Sequence, residues 1–122
     1  MTLVSPSQQP GLRPGPSFAY DPGAKMKTAF LFPGQGAQTV GMGRDLCEAS
    51  PAARRVFEEA EAATGLPLRR LCFEGPEEEL SRTDICQPAV FTVSAAALAV
   101  LGELSGPDQL EAIRPGYVAG LS

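Results

Sequence analysis

The 122-residue chain contains no histidine, and that absence constrains its chemistry more than any single residue present. Histidine is the commonest partner of a hydroxyl nucleophile, so a catalytic serine here must draw its base from outside these residues. Basic charge is also scarce. Ten Lys and Arg against 14 Asp and Glu leave a formal net charge of −4, and a nucleic-acid-binding domain would show the opposite excess. The three cysteines, Cys47, Cys72 and Cys86, form no CxxC pair and leave an odd thiol in any disulfide scheme. They are expected as reduced, small core residues of a cytoplasmic protein. A basic start, an apolar stretch and a small-residue cleavage site are all missing from the N-terminus, as is the Arg- and Ser-rich pattern of a transit peptide. Residues 85–102 carry no charge and approach the length of a spanning helix. Gln87, Pro88, Thr92 and Ser94 interrupt them and no basic flank orients them, so a buried helix is expected, with no membrane partner.

Proline and glycine, by contrast, are plentiful, and they divide the chain. Pro6, Pro10, Pro14, Pro16 and Pro22 interrupt residues 1–25, where only Arg13, Asp21 and Lys25 are charged. Such a stretch buries too little apolar surface to offset its ordering entropy, so a disordered leader is expected over 1–25. Met26, just before the first apolar run, is a candidate start of translation, and 26–122 is the expected domain.

Thr28 to Phe32 is an apolar run closed by Pro33-Gly34, as in a buried strand of a parallel sheet. A glycine-punctuated loop spans Gly34 to Gly43. Ser50 as N-cap and Pro51 at the first helical position open a helix that Gly65 and Pro67 close. Short helices are expected over Leu68–Phe73 and Glu77–Leu80, the latter with three glutamates at the positive end of its dipole. Arg54-Arg55 and Arg69-Arg70 read as solvated helix faces. Thr83 to Gln87 is read as a connector, with Pro88 opening the most apolar helix. Its stripe of Val90, Val93, Ala97, Val100, Leu101 and Leu104 requires enclosure by other elements. A short helix over Asp108–Ile113 and a last strand from Tyr117 complete the order. Strand, helices, strand, each strand leading into a glycine-rich turn, specifies α/β with a parallel sheet. Two strands do not complete that sheet, so the domain is read as the front part of a longer one.

Two turns carry the candidate chemistry. The first, Phe32-Pro33-Gly34-Gln35-Gly36-Ala37-Gln38, is neither a dinucleotide fingerprint, since Thr39 replaces the third glycine, nor a Walker loop, since no Gly-Lys-Ser/Thr follows. It is a structural turn or a loop that aims backbone N–H groups at an anion. The second, Gly120-Leu121-Ser122, is a chance Gly-x-Ser or the first half of a nucleophile elbow. In an elbow, a strained strand-to-helix turn presents the serine and the next N–H donates to an oxyanion.

Together with Gly41-Met42-Gly43 and Thr83-Asp84-Ile85-Cys86-Gln87-Pro88-Ala89, these turns resemble the N-terminal part of the malonyl-CoA:acyl carrier protein transacylase family, over Lys27 to Ser122. One departure is Leu121, where the family often has histidine; that residue precedes the nucleophile and is not the base. The resemblance implies an α/β-hydrolase-like acyltransferase domain, cut at its nucleophile elbow. Ser122 is implied as the nucleophile that carries the acyl group. The Gln35 N–H is implied as one oxyanion donor, the residue after Ser122 as the other, and Gln87 as a pocket residue. Malonyl-CoA and phosphopantetheinylated acyl carrier protein are the implied substrates, with no bound cofactor and no metal, in a monomer serving fatty-acid biosynthesis. The 122 residues alone are expected to be inactive, because base and second donor are missing. The alternatives are a polyketide-synthase-type acyltransferase with another acyl group and a non-catalytic acyl-CoA-binding homologue.

Overall fold

The computed structural model describes residues 27–121. The expected leader over 1–25 and Ser122 lie outside the described residues. The chain runs through β1 (Ala29–Phe32), α1 (Arg44–Ala49), α2 (Pro51–Thr64), α3 (Leu68–Glu74), α4 (Glu77–Leu80), α5 (Thr83–Leu104), α6 (Pro107–Ala112) and β2 (Tyr117–Gly120). Ser50 ends one helix and starts the next. Its N–H donates to the Leu46 carbonyl at 2.9 Å, closing α1, while its hydroxyl accepts the Ala53 N–H at 3.2 Å, opening α2. The same hydroxyl donates to the Glu103 carboxylate, tying this corner to the far end of α5.

The helix α1 fills the stretch between Gly43 and Ser50, for which no element was expected. No side chain caps it; Gly43, at φ 81°, begins it, and a glycine cap without a following acceptor looks like loop in sequence. Gly43 is also a close-approach site, because a Cβ there would lie 2.9 Å from the Phe57 ring. A second correction concerns α5, which starts at Thr83, so the expected connector Thr83–Gln87 is helical. The Arg82 carbonyl accepts the N–H groups of Ile85 and Cys86 and closes the first turn before Pro88 arrives. Pro88 costs only the bond to the Asp84 carbonyl, and Asp84 is exposed.

Helices α2 and α5 pack along one another, with α1, α3 and α4 around them. Phe57, Leu68, Leu71, Cys72, Leu80, Ala89 and Ala96 are fully buried between these elements. Each large apolar side chain enclosed in this way contributes about 1.5–3 kcal/mol. All three cysteines are free and buried, as expected. The arginine pairs are partly engaged: Arg69 ion-pairs with Glu61 at 2.6 Å, and Arg70 with Glu79 at 3.5 Å.

Enclosure of α5 is one-sided, against the expectation. By length and composition it could cross a bilayer, with mean hydropathy 1.8, yet Ile85, Cys86, Ala89, Val90, Thr92 and Ala96 are buried against the other helices. Of the expected stripe, Val90 is buried and Val93, Val100 and Leu101 are half-buried. Ala97 and Leu104 are exposed. Phe91 and Leu98 are open on the side that faces the sheet.

The strands β1 and β2 pair in parallel, Ala29 opposite Tyr117 through Phe32 opposite Gly120. That is the α/β order expected. Burial is not: Phe30 and Phe32 are half-buried, while Ala29, Leu31 and all of β2 are exposed among the described residues. No described element covers their outer face, so alternation along β1 replaces the buried run.

Candidate active site

Parallel neighbours end at the same edge of a sheet, and here both glycine-rich turns leave from that edge. Ligands of open α/β sheets bind outside the carboxyl ends of the strands. The two turns touch. The Leu121 N–H donates to the Phe32 carbonyl at 3.1 Å, and a Cβ on residue 34 would stand 2.5 Å from the Leu121 carbonyl oxygen. Only glycine permits that approach.

The first turn is a four-residue β-turn. The Ala37 N–H donates to the Gly34 carbonyl at 3.2 Å, and Gly36, at φ 104°, supplies the positive φ that a type II turn requires in its third position. Gln35 occupies the second position. Its side-chain amide donates to the Thr83 hydroxyl at 3.2 Å, fastening the turn to the start of α5. Among the described residues no acceptor takes its backbone N–H.

A cleft of about 620 Å³ lies between the turns and α5, lined among others by Phe32, Gln35, Gln87, Phe91, Ser94 and Leu121. The structure thus brings together Gln35, Gln87 and the Gly120-Leu121 turn that leads into Ser122, itself outside the described residues. Gln87 sits in the second turn of α5 rather than at its start, a consequence of the earlier helix origin. The described lining is apolar apart from two glutamines and a serine, and no charged side chain belongs to it.

Two polar groups that matter here carried no role in the sequence reading. Thr83 receives the Gln35 side chain, and Gln38 receives the Gly36 N–H. Gln38 stood inside the motif Pro33 to Gln38, which was the available signal; Thr83 had none beyond its place near Gln87.

Residues 29–122 match the sequence pattern of the acyl transferase domain family, and the chain belongs to that family. It is 48% identical over 96 residues to the malonyl CoA-acyl carrier protein transacylase of Bacillus subtilis, covering 79% of this chain and 28% of that protein. It superposes with TM-score 0.70 and 43% identity on the acyl-carrier-protein-S-malonyltransferase of Bartonella henselae, covering 78% of this chain and 29% of that one. A malonyl-transacylase solved in complex with a type II polyketide acyl-carrier protein gives TM-score 0.68 at 38% identity, over 79% of this chain and 28% of that chain. The fold is that of the α/β acyltransferases. The chain spans less than a third of the length of these relatives.

Proposed function

We propose that the full-length protein transfers a malonyl group from malonyl-CoA to the phosphopantetheine thiol of acyl carrier protein, in fatty-acid biosynthesis. The observation that carries this reading is the single cleft onto which Gln35, Gln87 and the turn before Ser122 converge, in a chain of the acyl transferase domain family. The relatives named as malonyl transacylases support the choice of acyl group and carrier.

On this reading the Ser122 hydroxyl oxygen attacks the thioester carbonyl carbon, the carbon–sulfur bond breaks, and coenzyme A leaves as its thiol. The carrier thiol then attacks the serine ester and restores the hydroxyl, so the transfer proceeds through a covalent intermediate. The Gln35 N–H, which has no acceptor among the described residues, donates to the oxyanion of each tetrahedral intermediate, and the residue after Ser122 supplies the second donor. Gln87 lines the cleft. The described lining offers the malonyl carboxylate no cation, and the 122 residues include no histidine for a base. Both roles fall to parts of the longer relatives that have no counterpart here. Monomeric action in the cytoplasm belongs to the same proposal; the buried, unpaired thiols are in keeping with a reducing compartment.

The test is mass spectrometry of the full-length protein after incubation with malonyl-CoA. A malonyl adduct on Ser122 that phosphopantetheinylated acyl carrier protein discharges is the expected result. Preferential labelling by an uncharged acyl-CoA would overturn the choice of malonyl, and absence of any acyl-serine would overturn the chemistry.

A further inference from the structure

Gln38 belongs to the loop motif, yet the acyl-transfer scheme leaves it without work. Its side chain is a junction. Oε1 accepts the Gly36 N–H at 2.7 Å and the Cys86 thiol at 3.0 Å, and Nε2 donates to the Ser81 hydroxyl at 3.4 Å. Cys86 is fully buried in the first turns of α5, so Gln38 links an exposed turn to the core.

The contact to Gly36 is the informative one. Gly36 N–H belongs to the central peptide of the turn, whose orientation separates type I from type II geometry. Gln35, Gly36 and Ala37 are all exposed, so packing does not hold that peptide. Glycines on either side of Gln35 make the backbone as permissive as a chain can be. An oxyanion donor is effective because it is aimed before the charge develops and needs no reorganisation when it does. A glycine-flanked turn on the surface meets that condition only if something fixes its middle. The Gln35 side chain fastens one side to Thr83, and Gln38 fastens the central peptide.

The geometry points to Gln38 as a positioning residue for acyl transfer: its amide oxygen pins the central peptide of the turn to the start of α5 and so restrains the adjoining Gly34–Gln35 peptide, which carries the Gln35 N–H. This rests on the acyl-transfer reading above. Gln38 touches no substrate; it acts through Gln35.

The experiment compares Gln38→Met, of similar length but without an acceptor, with Gln38→Glu, which keeps acceptor oxygens and loses the donor to Ser81. Three quantities are read in the full-length protein: kcat and KM for malonyl transfer, acylation of Ser122 by p-nitrophenyl acetate, and amide hydrogen exchange at Gly36. Gln38→Met is expected to lower kcat and ester acylation roughly 10- to 100-fold, less than outright loss of a donor. Its KM stays within about twofold, and Gly36 exchange quickens at least about tenfold as its hydrogen bond is lost. Gln38→Glu restores most of the rate and of the protection. If the methionine variant does not fold, Gln38→Ser, too short to reach Gly36, takes its place with the same expectations. Wild-type kcat with unchanged Gly36 exchange in the acceptor-free variant overturns the proposal. So does a glutamate variant as impaired as the methionine one, which would make side-chain packing rather than the acceptor responsible. A wild-type protein that transfers no malonyl group yet acylates Ser122 with the ester defeats the malonyl assignment alone, and the ester and exchange readings still decide the role of Gln38. A protein that does neither overturns both.

Discussion

Phe57 sits in an enclosed core, whereas Gln35 sits on an open edge. Phe57, Leu68, Leu71 and Leu80 have no exposed surface, and the rings of Phe57 and Phe73 lie 5.4 Å apart in a tilted arrangement. At the sheet edge, Leu31, Phe91, Tyr117, Val118 and Leu121 are each well over half exposed, and the turn between them is held by individual hydrogen bonds. Stability is therefore concentrated in the helical half, and the candidate chemistry in an edge that contributes little to it. Substitutions in the two regions should separate: those in the helices change melting and drag activity along, those at the edge change rate alone.

The largest effect expected is at Ser122. Ser122→Ala in the full-length protein should abolish the malonyl adduct and lower turnover on the order of 10⁴-fold or more, with an unchanged melting temperature. An adduct that persists on the same peptide sinks the nucleophile assignment. Next comes the opposite kind of change. Phe57→Ala leaves a void where the ring now meets α1 and α3, and should cost about 3–5 kcal/mol in urea or thermal unfolding, with residual activity following the folded fraction. Comparable loss of rate at full stability would erase the contrast between the two regions.

Gln35 sharpens it from the other side. Replacement by alanine keeps the N–H and removes only the tie to Thr83, while proline removes the donor itself. Gln35→Pro should lose about 10²–10³ in kcat, far more than Gln35→Ala, with circular dichroism showing both folded. Near-normal turnover in a folded proline variant would leave this loop as packing alone.

The helical half was the more legible in sequence, and the reason is local chemistry. Ser50, Pro51 and Gly65 announce α2 because a hydroxyl cap, a fixed φ and a left-handed terminus are properties of single residues. The helix α1 lacked such a marker, since its start is Gly43 and its end is the same Ser50 that opens α2. Pro88 hid the true start of α5, because a proline six residues into a helix reads as a beginning. The candidate site was legible only in pieces. Gln35, Gln87 and Gly120 lie far apart along the chain, and both the β1–β2 pairing that brings Gln35 beside Gly120 and the tie from Gln35 to α5 are non-local. Resemblance named these residues, but it gave Gln38 no role, and the contacts that tie Gln38 to Ser81 and Cys86 are non-local.

Smaller effects test the helical half by pH. Burial pushes the Cys72 thiol up to about 12, against about 8.5 for an exposed thiol. The folded state keeps that proton where the unfolded chain loses it. The stabilisation is complete below about pH 8.5 and disappears as pH climbs towards 12. Urea midpoints between pH 8 and 11 should fall less steeply in Cys72→Ala than in the wild type; parallel slopes would show that the thiol is not sheltered. Last is Glu61, whose carboxyl is held below the usual range by hydrogen bonds from the Arg69 side chain. Its contribution is present above the ordinary carboxylate pKa and is lost as pH falls through the lowered one. Because the pair is partly exposed, Glu61→Gln should cost no more than about 1 kcal/mol at neutral pH, and a larger loss would place more of the fold's stability on this surface than its burial indicates.

The parallel register of β1 and β2 has a consequence in time as well as in space. Ala29 cannot meet Tyr117 until the residues between them, which carry all six helices, have been synthesised and their ends brought together, and pairings of such long sequence separation are slow to form. The helices can condense on Phe57 early, while the edge that joins the two turns is assembled at the end. In refolding, far-ultraviolet signal should therefore return ahead of ligand binding, and binding to the cleft would serve as a clock for the last event in the maturation of this chain.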